Sequence, residues 1–420
     1  MAQRSAELPA AARVAHAPAG FGLAVLLTLL VAMGPVSTDL YLPSLPGIAA
    51  DLEASAGLAQ LTIGLFMGGF AGMMLVCGPL ADRFGRRPVL LGGMALYTLG
   101  SIACALAPDI AFLLAARFVQ ALGACVGPVI GRAIVRDLYE PREAGRILGY
   151  MASAMALAPL VGPFIGGGLE IVFGWRANFW ALAIYGGALM AALALRLDET
   201  LRTPLLGALA PARLLGSYVL IVRNRTFLGF MLCVSLSSGA LFTWISSSSF
   251  VVIDHFGVAP ERFGWVFGAV VLGYIGGAYG GSRAGMRFGL ARATGIGIAL
   301  CTAAGLGLLL AGWSGLGGLY AITGLMALSF FGAGLAIPQG TAGGLGPFPE
   351  RAGSAAALLG FIQMMTGLLI NAWLSLWYDG TPRPMAALNA ACALAALAAY
   401  VAFLRPRQGA REPLSCRTDP

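Results

Sequence analysis

Two ionisable residues lie where so apolar a chain leaves little room for them. Asp39 closes an apolar run that begins near Phe21, within the stretch STDLYLPSLP (37–46), and Arg117 opens RFVQALGACVGPVIGR (117–132). A charge in hydrocarbon costs roughly 2.5–3.5 kcal/mol on insertion scales, so an acid or base at such depth is retained for a purpose. Arginine stays protonated under any realistic condition, so of the two only the aspartate can exchange a proton. The chemistry this pair offers is proton loading and release, timed by partial burial and by a neighbouring cation. Two plainer readings compete with it: an interfacial acid at a helix end, and an ion pair that merely ties two helices together.

The elements that carry these residues follow from composition. Apolar residues make up 59% of the chain, charged residues 10%, and glycine occupies 60 positions, a balance that belongs to a polytopic membrane protein. Most apolar stretches run about 20 residues or slightly longer, enough to cross ~30 Å of hydrocarbon. Twelve helices are predicted, near 20–43, 57–80, 88–107, 110–131, 145–169, 177–196, 226–253, 262–281, 290–312, 315–338, 352–377 and 384–404. Helix one rises toward the outside and helix four returns from it. Asp39 then sits about four residues (~6 Å) from the outer end, and Arg117 about eight residues (~12 Å) from it, at heights within a turn or two of each other.

Orientation comes from the basic residues. Lysine is absent, so all 26 positive charges are arginine, and 22 of them fall in the termini and loops of one side. Arg176, Arg262 and Arg383 fall on the other side and Arg117 falls within a span. The positive-inside rule makes the rich side cytoplasmic, with both termini there. The net charge of +8 is that address and not a nucleic-acid footprint. The run after residue 20 is too long for a signal-peptide core and reads as a retained helix. Six cysteines (Cys77, Cys104, Cys125, Cys233, Cys301, Cys392) fall in predicted helices and Cys416 in the tail, with no C-x-x-C pair, so neither disulfides nor zinc are indicated. His16 and His255 lie at or near loops. No phosphate-binding loop, catalytic triad or metal cluster is visible, so no enzyme and no cofactor is expected. Energy coupling then comes from an ion gradient, or else there is none.

The chain divides around a long connection. Residues 1–19 form a tail, 20–196 a first six-helix bundle, 197–225 a linker, 226–404 a second bundle and 405–420 a second tail. The linker carries Asp198, Glu199, Arg202, Arg213, Arg223 and Arg225. GPLADRFG from Gly78 is echoed by SRAGMRFG from Ser282: Arg83, Phe84 and Gly85 match Arg287, Phe288 and Gly289 at constant offset, with Met286 where Asp82 would be. Duplicated bundles are how many secondary transporters are built, with the substrate site between the repeats.

The string GPLADRFGRRPVLLGG (78–93) is the most specific in the chain. Gly78 and Gly85 allow a tight turn between helices, Asp82 is placed to face a helix N-terminus, and Arg83, Arg86 and Arg87 mark the inner face. An ordinary basic loop needs arginines but not this order. Here the chain resembles the major facilitator superfamily, whose signature loop between helices two and three has the pattern, over essentially the whole length. That resemblance implies an all-α membrane fold of twelve helices in two pseudo-symmetric bundles. In 117–132, Arg117 and Gln120 look like the family's fourth-helix motif, with Ala121 where glycine is usual. The stripe Gly123, Gly127 and Gly131 suits close helix contact. LAPLVGPFIGGG (157–168) resembles the fifth-helix antiporter pattern at Gly162, Pro163, Gly166 and Gly167; simple small-residue packing is the alternative.

STDLYLPSLP further resembles the first-helix motif of the bicyclomycin/chloramphenicol-resistance branch (Bcr/CflA) of drug:proton antiporters. Arg136–Asp137, GWRANFW (174–180) and FPERAGSAAALLGF (348–361) are similar to the same branch. The resemblance implies that Arg86 pairs with Asp137 while Asp82 caps the helix starting near Ser354, latching the cytoplasmic ends of the halves in the outward-facing state. It also implies proton-coupled efflux of chloramphenicol-like or bicyclomycin-like drugs across the bacterial inner membrane; the protein is expected to be a monomer. Asp39 is then expected to carry the proton beside Arg117, with Gln120 as a neutral hydrogen-bonding neighbour. Candidates for the cavity wall, by helix position, are Tyr41, Gln120, Met67, Met155, Phe242, Trp244, Tyr274, Gln363, Met364 and Asn371, with the serine run Ser246–Ser249 beside them. A transporter of one metabolite, an amino acid or sugar, is the alternative within transport. A non-transporting receptor on the same fold would be expected to carry a soluble signalling domain.

Overall fold

The computed structural model describes residues 21–201, 203–205, 207, 209–315 and 317–405. His16, Arg202, Cys416, the side chain of Arg213, and the segments 1–19 and 406–420 lie outside the described residues. The first half contains α1 (Phe21–Val31), α2 (Met33–Asp39), α3 (Leu45–Asp51), α4 (Ala56–Phe84), α5 (Arg86–Ala105), α6 (Ile110–Ala124), α7 (Val126–Leu138), α8 (Pro141–Phe173) and α9 (Arg176–Arg196). The linker holds α10 (Pro211–Val222). The second half contains α11 (Arg225–Ser249), α12 (Pro260–Phe288), α13 (Leu290–Ser314), α14 (Leu319–Leu345), α15 (Ala352–Trp377) and α16 (Arg383–Ala399). Among the described residues, 11 helices are long and apolar enough to cross a membrane, or 12 when the bent pair Phe21–Val31 and Met33–Asp51 counts as one span.

Local chemistry sets the ends. Ser55, Asp109 and Asn224 cap α4, α6 and α11, each accepting from a backbone N–H three residues on, at 3.2, 2.8 and 3.0 Å. The repeated Arg-Phe-Gly has one job in both halves: Gly85 (φ 103°) and Gly289 (φ 83°) turn α4 into α5 and α12 into α13 with no intervening loop. A side chain at either position meets left-handed strain, which glycine avoids.

Three features depart from the reading of the sequence. Helix one is not continuous to residue 43. It is interrupted at Ala32, with a bend of 44° between Phe21–Val31 and Met33–Asp51, then ends at Asp39, passes through a 3-10 turn at Leu42–Ser44 and restarts as α3. The prolines of LPSLP sit at the starts of the turn and of α3, where a missing N–H costs nothing. Helix four runs to Leu138 and is broken at Cys125. The linker is not bare: α10 buries Ile221 against Phe227, Met231 and Leu358 of the second half, and the Tyr218 hydroxyl donates to the Leu75 carbonyl of α4 at 2.9 Å.

The end of the bundle bearing the α4–α5 turn is rich in arginine and is called the basic end below. The halves meet along α4 and α15, which run antiparallel: Gly57 lies against Ser375, Gly64 against Asn371, Met67 against Gly367 and Met74 against Gly360. They meet again where Gly167 of α8 touches Pro260, and where Leu160 and Phe164 touch Gly268 and Gly264 of α12. These α8–α12 contacts lie at the arginine-poor end, whereas the glycines of α8 nearer the basic end, Gly145 and Gly149, face open space. The Ser249 hydroxyl also bonds the Leu42 carbonyl across the halves at the arginine-poor end. The halves are therefore closed there and spread toward the basic end on the α8–α12 side.

Candidate functional site

Asp39 sits at the break of helix one and is 3% exposed. Its side-chain partner is the Thr38 hydroxyl, which donates to Oδ1 at 3.3 Å. Its neighbour is α8, where Gly162 lies under the Asp39 Cβ and Gly166 under the Leu40 carbonyl. The ion pairs among the described residues are Arg86–Asp82, Arg86–Asp137, Arg146–Glu143 and Arg176–Asp51, and Asp39 takes part in none of them.

The expected pairing of Asp39 with Arg117 is thus corrected. Arg117 is fully buried, and its guanidinium carbon stands 4.4 Å from the ring centre of Tyr41, 4.3 Å from Phe66 and 5.7 Å from Phe179. Its Nη1 donates to Gln120 Oε1 at 2.5 Å, while Nε and Nη2 have no partner. Gln120 Nε2 in turn donates to Ser101 at 2.7 Å. The two charges share a height but not a direction. Breaking the helix after Asp39 leaves the carboxylate on the α8 side and turns Tyr41 toward the guanidinium, with the Tyr41 hydroxyl 3.0 Å from that of Thr62. Tyr41 and Gln120 consequently belong to the cage around Arg117 inside the first half, not to a wall between the halves.

The remaining candidates divide similarly. Gln363 Nε2 donates to Ser238 at 2.7 Å, and Ser246 donates to Asn371 Oδ1 at 2.6 Å. Asn371 Nδ2 points to the Met67 sulfur at 3.8 Å, and Phe242 and Met67 both crowd Gly367. Phe242, Gln363, Asn371 and Met67 therefore form one mixed polar and apolar seam where α11, α15 and α4 meet. Met364 is partly buried against the core beside it. Met155 accepts from Arg132 Nη2 at 3.5 Å on α8, and the Tyr274 carbonyl lies against Gly334 of α14. Trp244 is fully buried with its indole N–H unpartnered. The serine run splits: Ser246 and Ser249 bond other helices, while the hydroxyls of Ser247 and Ser248 have no partner.

At the basic end, Arg86 bridges Asp82 (Nη1 to Oδ1, 2.6 Å) and Asp137 (Nε to Oδ2, 3.3 Å). Asp82 does not cap α15, whose N-terminus has no side-chain cap. Its carboxylate is turned to Arg86, four residues on. Arg83 is exposed and lies over Phe84 at 5.1 Å, and Gly78 has open space around it. Of the fifth-helix pattern, Pro163 is buried within α8, Gly162 and Gly166 seat the break in helix one, and Gly167 touches the other half at Pro260.

A β-carbon at Gly166 would overlap the Leu40 carbonyl, backbone against backbone, so neither side can yield by changing rotamer. Alanine gains up to about 1 kcal/mol of helix propensity, but overpacking costs about 1–3 kcal/mol. Gly166→Ala is expected to lower the melting temperature and to slow transport, while Gly168→Ala, which has no neighbour within 4 Å, leaves both near wild type. Thermal melts and uptake assays on the two variants check this.

Long apolar spans in two packed halves, with a buried acid at the break of helix one in the first, define a multi-pass membrane protein, and its family and relatives are transporters and not enzymes. The chain belongs to the Major Facilitator Superfamily, whose family model matches residues 25–371. It is 33% identical to the MFS-type transporter YdgK of Bacillus subtilis, over 94% of this chain and 99% of that protein. It is 30% identical to the multidrug resistance protein MdtL of Escherichia coli, over 82% and 86% of the two chains. Among solved structures, the peptide transporter POT in complex with sulfate superposes with a TM-score of 0.73 at 16% identity, covering 92% of this chain and 95% of that one. The D-xylose–proton symporter does so at 0.67 and 15%, covering 91% and 96%. At such identities these two bear on the fold alone.

Proposed function

We propose that the protein exports small amphipathic drugs, of the chloramphenicol-like or bicyclomycin-like kind, in exchange for protons entering the cell. Its basic end faces the cytoplasm, its membrane is the bacterial inner membrane, and its energy comes from the proton gradient alone. The observation that carries this reading is Asp39: a carboxylate only 3% exposed, without a cationic partner, at the break of a helix seated on the glycines of α8. A buried charge needs compensation. A proton supplies it; a passenger with a cationic group competes with that proton for the one carboxylate, while a neutral passenger is exchanged because loading and release of the proton bias which way the halves open.

Alternating access supplies the rest. Gly167 and Pro260 meet one turn beyond the Asp39 seat, so rocking of the halves at the arginine-poor end disturbs the surroundings of the acid directly. Proton binding and closure are then biased together. The seam of Phe242, Met67, Gln363 and Asn371 offers a passenger apolar surface with a few polar anchors, which suits breadth better than a single tight fit. The resistance named in the MdtL relative and the STDLYLPSLP and Arg136–Asp137 resemblances support drugs as the substrate class.

The test uses purified protein in vesicles under an imposed pH gradient, with chloramphenicol-like and bicyclomycin-like drugs beside a panel of amino acids and sugars. Drug movement opposite to proton flow, collapsed by a protonophore, is the expected result. Drug movement indifferent to the gradient would refute proton coupling. Movement of one amino acid or sugar, with every drug ignored, would replace the drug reading.

A further inference from the structure

The basic end carries an arrangement that the transport scheme above does not use. Helix α5 begins at Gly85, which offers no side chain to its first N–H groups. Such groups need acceptors and carry a partial positive charge. The acceptor comes from 113 residues away: the Glu199 carboxylate takes the Arg86 N–H at 2.9 Å and the Arg87 N–H at 3.2 Å, and closes on its own chain at Leu201 N–H, 2.8 Å. Any β-carbon at residue 85 would collide with Glu199 Oε2, so glycine is required there for this contact as well as for its φ.

The neighbours of Glu199 extend the attachment. The Thr200 hydroxyl donates at 3.3 Å to Asp137 Oδ2, the same oxygen that receives Arg86 Nε. The Leu205 N–H donates to the Asp82 carbonyl at 2.9 Å, and Arg87 Nη2 donates to the Ala194 carbonyl at 2.8 Å. The first residues of the linker thus touch all three members of the Arg86 bridge. Its later residues, Tyr218 and Ile221, are fixed to α4 and to the second half.

We infer that Glu199 is the positioning residue of the Arg86–Asp82–Asp137 bridge and anchors the linker as a strap across the basic end. By holding the Arg86 backbone it aims the guanidinium at both carboxylates, and by holding the linker it limits how far the halves spread. Partial burial works to raise the Glu199 carboxyl, but the backbone N–H groups of Leu201, Arg86, Arg87 and Thr200 outweigh it and leave the group below the ordinary glutamate range. A depressed folded value means that the attachment is complete above the unfolded glutamate range and is lost as pH falls through the lower, folded one. At neutral pH the strap is therefore fastened, and the facing ionisable groups, Asp82, Asp137, Arg86 and Arg87, are the ones that feel its loss.

The test measures distance and transport together. Spin labels on Tyr150→Cys and Met286→Cys, both exposed near the basic end of α8 and α12, in a chain freed of its other cysteines, report the spread of the halves without any substrate. Glu199→Ala is expected to broaden that distribution and lengthen its mean. Transport is expected to fall about tenfold, the scale of losing charge-assisted hydrogen bonds. Adding Asp137→Asn to Glu199→Ala is expected to cost little more, because both act through Arg86. Glu199→Gln, which keeps an acceptor oxygen and the shape, is expected to restore the distribution in part, and it serves alone if the alanine variant does not fold. An unchanged distribution, or fully additive losses with Asp137→Asn, overturns the proposal. The transport arm rests on the proposed function, but the distance arm does not, so the two can fail separately.

Discussion

Asp39→Asn is expected to abolish proton-driven efflux while leaving drug exchange intact. Asparagine keeps the volume of the side chain and its hydrogen bond from Thr38, so the break in helix one and its seat on Gly162 and Gly166 persist. What disappears is the site of protonation. Counterflow, in which labelled drug outside exchanges for unlabelled drug inside, needs the passenger and the rocking halves but no net proton. It should continue in the variant, whereas accumulation against a gradient should fall to the level of empty vesicles. Cationic and neutral drugs separate the two duties of the carboxylate. A cation loses its counter-charge, so its affinity should drop by about tenfold or more, each tenfold being about 1.4 kcal/mol. A neutral drug loses no ionic contact and should bind nearly as before. Equal losses for both would mean that Asp39 supports the fold and not the exchange. Undiminished gradient-driven efflux would remove it from the mechanism.

Hydropathy and basic-residue counting made the spans legible, because lipid leaves backbone no choice but helix. The duplicated turn was legible too: one tripeptide recurs because one geometry, two helices joined through a positive-φ glycine, recurs. The relation between Asp39 and Arg117 was not. Distance from a helix end gives height at about 1.5 Å per residue, but direction turns by about 100° with each residue, and a break resets it. Pro43 and Pro46 contained the missing signal, since prolines at the start of a new helix mark a restart and not merely an exit to water. Glu199 was beyond reach for another reason. Its partners are backbone N–H groups more than a hundred residues away, and backbone atoms leave no mark in the sequence. Helix α10 was half legible, with Pro211 at its start and Tyr218 and Ile221 spaced to share a face, but it lies in a segment whose charges suggest a plain loop.

Arg117 yields the sharpest separation of charge from packing. The guanidinium is fully buried with one hydrogen bond and three aromatic neighbours, and two of its nitrogens lack partners. Cation–π contact returns about 2 kcal/mol or more when desolvated, whereas the effective penalty for burying an ion is several kcal/mol. The balance does not favour arginine as a packing residue. Arg117→Met, which fills the cage with an unbranched apolar chain, is therefore expected to melt at or above the wild-type temperature. It leaves Gln120 Oε1 with only the weak Cys104 thiol donor at 4.0 Å, an expense of up to about 1–3 kcal/mol that limits the gain. Arg117→Ala opens a cavity among Tyr41, Phe66 and Phe179 and should melt lower, since large-to-small changes at buried sites cost about 2–5 kcal/mol. Transport decides what the charge is for. If the methionine variant is stable yet transports at least about tenfold more slowly, about 1.4 kcal/mol of barrier, the charge was kept for function at the expense of stability. A methionine variant that transports normally would show instead that the cage only needs to be filled.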